Sequence, residues 1–116
     1  MKFILMVIDD EEAQAKLPET EMRTVFARVE QIENKLKARH QLLDSRALKP
    51  SRDGKLVNVK NGQPSVTAGG LAIGAQAVGG YFLIECASEE EAIDWAKQFP
   101  VVGNSAVEVR PILEMN

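Results

Sequence analysis

The side chains that could move a proton or grip an anion are few in this chain and are not gathered into one motif. His40 is the only histidine. It follows a helical stretch beside Lys37 and Arg39, where an imidazole complements the helix dipole; oriented by a partner, the same ring could serve as an acid/base group. Arg46, Tyr81 and Arg110 fall in strand-like segments from which they could project into a cleft. Arg46 has the fork that clamps a carboxylate through two parallel hydrogen bonds, or it makes a surface or interfacial ion pair. A Tyr81/Arg46 pair could transfer a proton only with a carboxylate in reach, and Asp44 and Glu85 are the candidates. Cys86, the single cysteine, sits in an apolar run without the companions of a zinc site and reads as a buried structural thiol. Asp9-Asp10-Glu11-Glu12 reads as a solvated strand exit, because consecutive carboxylates cannot all face one ion.

The stretch from Thr67 to Gly80 holds five glycines and no charge. Gly69 to Gly74 has the outer spacing of a phosphate-binding loop, but Ala75-Gln76 stands where Lys and Ser/Thr would be required. No cofactor and no metal are expected. The segment can supply shape, apolar contact and backbone N–H groups, so Thr67, Ala68, Gly69, Gly70 and Leu71 join Asp44, Arg46 and Tyr81 as ligand-binding candidates. Leu71, Ile73 and Val78 need burial, which predicts that this loop gates or lines the cleft. The other reading is a tightly turned connection into the strand at Tyr81.

The elements that would position these residues follow from periodicity. Lys2-Phe3-Ile4-Leu5-Met6-Val7-Ile8 reads as a central strand. Met22, Val25, Phe26, Val29, Ile32 and Leu36 recur at three- and four-residue steps along one face of a long helix after Pro18, with acidic residues at its start and basic ones at its end. A short strand begins at Leu42-Leu43, and Asn61-Gly62 joins Lys55–Lys60 to Gln63–Thr67 as a hairpin. Tyr81–Cys86 is a buried strand. Ser88-Glu89-Glu90-Glu91 is a capping box opening a helix whose inner face carries Ala92, Ile93, Ala96 and Phe99. Val107–Ile112 closes the sheet. With the hairpin as an insertion, the order is a split β-α-β repeated twice: an α+β, ferredoxin-like domain over residues 1–116 with both helices on one sheet face. The other face is left to a second subunit or a ligand, which predicts a homodimer.

Composition narrows the partners. At 116 residues, with 45% hydrophobic and 27% charged residues, the chain suits one globular domain. A net charge of −3 gives no general attraction to nucleic acid. No apolar run approaches the roughly 20 residues that span a bilayer, and the apolar run at the N-terminus is too short for a signal-peptide core, so a cytoplasmic location is expected.

Five segments in order, Met1–Val7, Leu42–Ser51, Val78–Ile84, residues 90–97 and Val107–Ile112, together resemble the YCII-related family, specifically its DGPF-motif branch. The resemblance covers nearly the whole chain. It implies a ferredoxin-like subunit pairing into a dimeric α+β barrel, often bacterial, with a small-molecule site involving His and Asp in some members. At the position of the naming motif this sequence has Ala68-Gly69-Gly70-Leu71, and only Gly69 carries over. The expected function is therefore binding of a small apolar or carboxylated molecule at the sheet face, without an activity that depends on an aspartate at position 68. The alternative is a small lyase or isomerase using His40 or Tyr81/Arg46.

Overall fold

Alternation along the first strand sets the architecture. In β1 (Lys2–Asp10), Phe3 and Leu5 are buried and Val7 packs beside them, whereas Ile4, Met6 and Ile8 point the other way and stay half-exposed. The computed structural model describes residues 1–115. After β1 come α1 (Glu11–Ala15), α2 (Glu19–Ala38), β2 (Leu42–Ala47), a 3-10 turn (Ser51–Asp53), β3 (Lys55–Lys60), β4 (Gln63–Ala68), β5 (Gln76–Glu85), α3 (Glu89–Ala96) and β6 (Ala106–Pro111). The main sheet is antiparallel in the order β2-β5-β1-β6, and β3-β4 form a separate two-stranded sheet. This is the ferredoxin-like α+β arrangement with an inserted hairpin.

The core lies on the helix side. Ile32 and Leu36 of α2 and Ala92 and Trp95 of α3 close over Phe3, Leu5, Phe82 and Ile84, and Phe82 meets Phe99 edge-to-face at 5.2 Å. Along α3 the inward residue is Trp95, with Arg39 stacked 5.3 Å from its ring, whereas Ile93 is turned outward. The helix begins at Glu89, directly after its cap Ser88, and Ala92 and Trp95, with Phe99 beyond its end, form the buried stripe. Cys86 is buried, its thiol pushed up by burial and donating to the Ser88 carbonyl. Ser88 accepts from the Glu91 N–H at 3.2 Å, while the Glu91 carboxylate reaches back to the Ala87 N–H and to Gln41.

The acidic run is not a solvated strand exit. β1 continues through Asp9 to Asp10, and Asp10, only 7% exposed, caps α1 by accepting the Ala13 N–H at 3.0 Å. It also accepts the Asn104 N–H at 2.9 Å, so one carboxylate joins β1, α1 and the loop before β6. Glu11 reaches across to the Ser51 N–H and hydroxyl. The helical period of α1 was hidden because the segment has a single turn and no buried residue.

β5 also starts earlier than the glycine-rich composition suggests. Gln76 to Gly80 pair with β1, and a bulge between Val7 and Ile8 leaves Gly79 as the extra residue. Glycine suits this strand because neighbours come too close for a side chain: a Cβ on Gly80 would lie 2.8 Å from the Arg46 carbonyl oxygen.

His40 ends α2. Its φ of 57° is left-handed, its N–H bonds the Lys37 carbonyl at 3.0 Å, and the Gln41 N–H bonds the Leu36 carbonyl at 2.9 Å. That pair of bonds is the Schellman ending, in which glycine is the usual left-handed residue. His40→Gly removes the Cβ strain and is expected to stabilise the fold by about 0.5–1 kcal/mol, read as a rise in urea midpoint at constant slope; a fall would show that the imidazole has a partner the fold needs.

Candidate functional site

A cavity of about 230 Å³ lies between the first half of α2 and the sheet. Its apolar wall comes from Val25, Phe26 and Val29 of α2, Val7 of β1, Phe82 of β5, and Phe99 and Val102 after α3. The walls form because the core stripe of α2 is filled only toward its C-terminal end, at Ile32 and Leu36, leaving its earlier turns standing off the sheet. An enclosed apolar space of 150 Å³ can hold benzene, so this one suits a monocyclic or short-chain molecule.

Asp9 is the carboxylate in this cavity that has no ion-pair partner among the described residues. It shares the inward parity of Phe3, Leu5 and Val7. Its carboxylate lies directly over the Cα of Gly79, in space that a Cβ at that position would occupy. Burial pushes its carboxyl above the usual range, opposed by a hydrogen bond from Gln14 and assisted by the nearby charge of Glu11. Asp10, the next residue, is shifted the other way, because the Asn104 and Ala13 N–H groups hold it below the usual range. Two adjacent carboxyls pushed apart by their surroundings separate a group free to exchange a proton from one fixed as an anion. Glu33 also lines the cavity, but its charge is met by Lys37 at 2.9 Å.

Of the site candidates singled out in the sequence, Arg46 and Tyr81 line this cavity. Asp44, Arg46 and Tyr81 do come together: the Tyr81 hydroxyl donates to Asp44 Oδ2 at 2.7 Å, and Arg46 Nη1 donates to Oδ1 at 2.7 Å. By strand parity these side chains belong to the face that no helix covers, opposite Ser45 and Phe82. The hydrogen bond from Tyr81 holds Asp44 below its usual range, and the same bond raises Tyr81. The Tyr81 hydroxyl and one Arg46 nitrogen are thus both turned to the Asp44 carboxylate within the cluster. Arg46 and Tyr81 also contribute to the cavity wall, but Asp44 does not. Glu85 is exposed at the end of β5, and Arg110 is paired with Glu108. Exposed at its helix end, His40 does not line the cavity.

Thr67 and Ala68 finish β4; Gly69 and Gly70 donate to the Gly54 and Ser51 carbonyls at 2.9 and 2.6 Å; Leu71 is exposed. None of these five lines the cavity; of the glycine-rich stretch Gly79 and Gly80 do, followed by Tyr81 and Phe82 beyond it. The sequence reading missed Asp9, although its signal was present in the inward parity of the β1 run and in the paired glycines opposite. Among the described residues no cluster of three or more His, Cys, Asp or Glu could hold a metal ion, and no helix is long and apolar enough to cross a membrane.

An antiparallel four-stranded sheet in this order, with its helices on one face and an acid lining the space beneath them, defines an α+β ferredoxin-like domain with a helix-side cavity. The family model for the YCII-related domain matches residues 1–116, and the chain belongs to that family. Comparison with curated proteins gave no match.

The contact between residues 9 and 79 is testable by a double-mutant cycle. Gly79→Ala should destabilise the wild-type protein but cost less in an Asp9→Ala background, where the atoms it strikes are gone, with a coupling on the order of 0.5–3 kcal/mol. Equal costs in the two backgrounds would place the Asp9 carboxylate elsewhere.

Proposed function

We propose that this protein binds a small, mostly apolar molecule with one hydrogen-bonding group in the cavity between α2 and the sheet, and that Asp9 is the residue that meets that group. The observation that carries this reading is a desolvated carboxyl seated over Gly79 in an apolar cavity. A neutral carboxyl donates to a carbonyl oxygen, whereas an ionised one repels a carboxylate, so carbonyl compounds fit better than anions. We place the chain in the DGPF-motif branch on its flanking segments, with Ala68-Gly69-Gly70-Leu71 at the motif; this reading needs no acid at position 68. A cytoplasmic setting suits the single unpaired cysteine.

A lyase or isomerase activity is the second reading, and the raised Asp9 favours it over His40 or Tyr81/Arg46, since a carboxyl held nearer neutrality can both take and return a proton. The binding reading is tested with acetophenone, followed by amide shifts. Shifts are expected at residues lining the cavity, with affinity rising as pH falls through the elevated Asp9 titration, because protonated Asp9 is the donor. Val29→Trp, which fills the space, should weaken binding at least tenfold. Shifts confined to the uncovered sheet face, or binding indifferent to Val29→Trp, would refute it.

We further propose that the uncovered face, with Ile4, Met6, Ile8 and Leu83 flanked by the Asp44/Arg46 and Glu108/Arg110 pairs, joins two copies as a homodimer. Such an interface should bury at least about 1,200 Å² in total. Light scattering should give twice the chain mass at micromolar concentration, and a monomer there overturns this part.

A further inference from the structure

The hairpin of β3 and β4 has one apolar and one polar face. Pairing Val57 with Val66 and Val59 with Pro64 puts Val57, Val59, Pro64 and Val66 on one side, while Asn58, Ser65, Lys60 and Gln63 share the other. The three valines are 64%, 65% and 67% exposed, so a face patterned for burial is left uncovered among the described residues. A lone two-stranded hairpin is marginal in water. This one is held at its base, where Gly69 and Gly70 bond Gly54 and Ser51 and Ser51 is bonded by Glu11, so the blade is preset rather than loosely tethered.

Charge selects the occupant. From Leu48 to Ala75 the chain carries Lys49, Arg52, Lys55 and Lys60 against Asp53 alone, a net +3 within a total of −3, which leaves −6 on the rest of the molecule. A basic apolar arm on an acidic body that has its own unpaired apolar face is complementary to a second copy of itself, and a two-fold axis supplies both arms at once. We propose that the β3-β4 hairpin is a dimer clasp, its valine face packing on the partner protomer and its lysines meeting the partner's acidic body. The proposal rests on the homodimer reading above.

Sedimentation equilibrium of wild type and of the Val57→Thr/Val59→Thr/Val66→Thr variant tests it, since threonine keeps the branched shape that favours a strand. The dimer dissociation constant should rise at least tenfold, and Lys55→Glu/Lys60→Glu should weaken the dimer most at low salt. Carbodiimide cross-linking of a mixture of 14N and 15N protein should yield mixed-isotope peptide pairs containing Lys55 or Lys60. A wild-type dimer with an unchanged constant in the threonine variant and no mixed pairs would overturn the clasp while leaving the dimer standing. A wild-type monomer would overturn both, and hairpin amide shifts seen only on adding hexaglutamate would overturn the clasp and make the arm a site for acidic peptides.

Discussion

The carboxylate of Asp10 is the interaction on which the rest depends. It accepts from Ala13 and from Asn104, and so fixes the end of the central strand to the first helical turn and to the loop before the last strand. Gly103 serves the same joint: its φ of 58° and its lack of a side chain let the loop close over Asp10 and Ala13. With this corner fixed, Asp9 before it is held in the cavity wall and Glu11 after it reaches Ser51 at the hairpin base. Acid weakens the joint, because a carboxylate held below its usual range contributes stability above its unfolded value that is lost as pH falls through its folded value. Asp9 behaves oppositely: its raised value makes ionisation a liability in the fold that fades as pH falls.

The glycines show how one composition can serve two ends. Gly69 and Gly74 are left-handed turn residues, with φ of 92° and 60°, and give the connection its shape. Gly79 and Gly80 sit in a strand and leave room for the Asp9 carboxylate and the backbone of β2. The first pair shapes a connector and the second lines the cavity. A reading of the whole stretch as one loop merges that connector with the start of a strand.

Much of the fold was legible because its signals are local. Asn61 and Gly62 both take positive φ, as a hairpin joined by that dipeptide requires, and Ser88 caps the Glu91 N–H as its spacing predicts. The element order then led to the split β-α-β sheet. What could not be read depends on nonlocal geometry. Asp9 looked like part of a charged run because nothing nearby in sequence shows that Gly79 lies across from it. Asp44 and Tyr81 were correctly suspected of meeting, yet only strand parity and their mutual hydrogen bond show that they occupy the uncovered face and satisfy one another. His40 drew attention as a rare residue type, while its backbone bonds identify it as the end of a helix.

Strand β1 pairs only with strands far along the chain. Phe3 aligns with Ile84 on one side and Pro111 on the other, and the Met1 ammonium bonds the Cys86 carbonyl. Ribosomes add roughly 5–20 residues per second, so the strand that becomes the centre of the sheet waits on the order of ten seconds for its first neighbour. Helix α2 and the β3-β4 hairpin, built from contacts close in sequence, can form in microseconds during that interval. Until β5 is made, the apolar run of β1 has neither of its sheet neighbours, and the acidic residues from Asp9 to Glu12 at its end disfavour pairing with other chains.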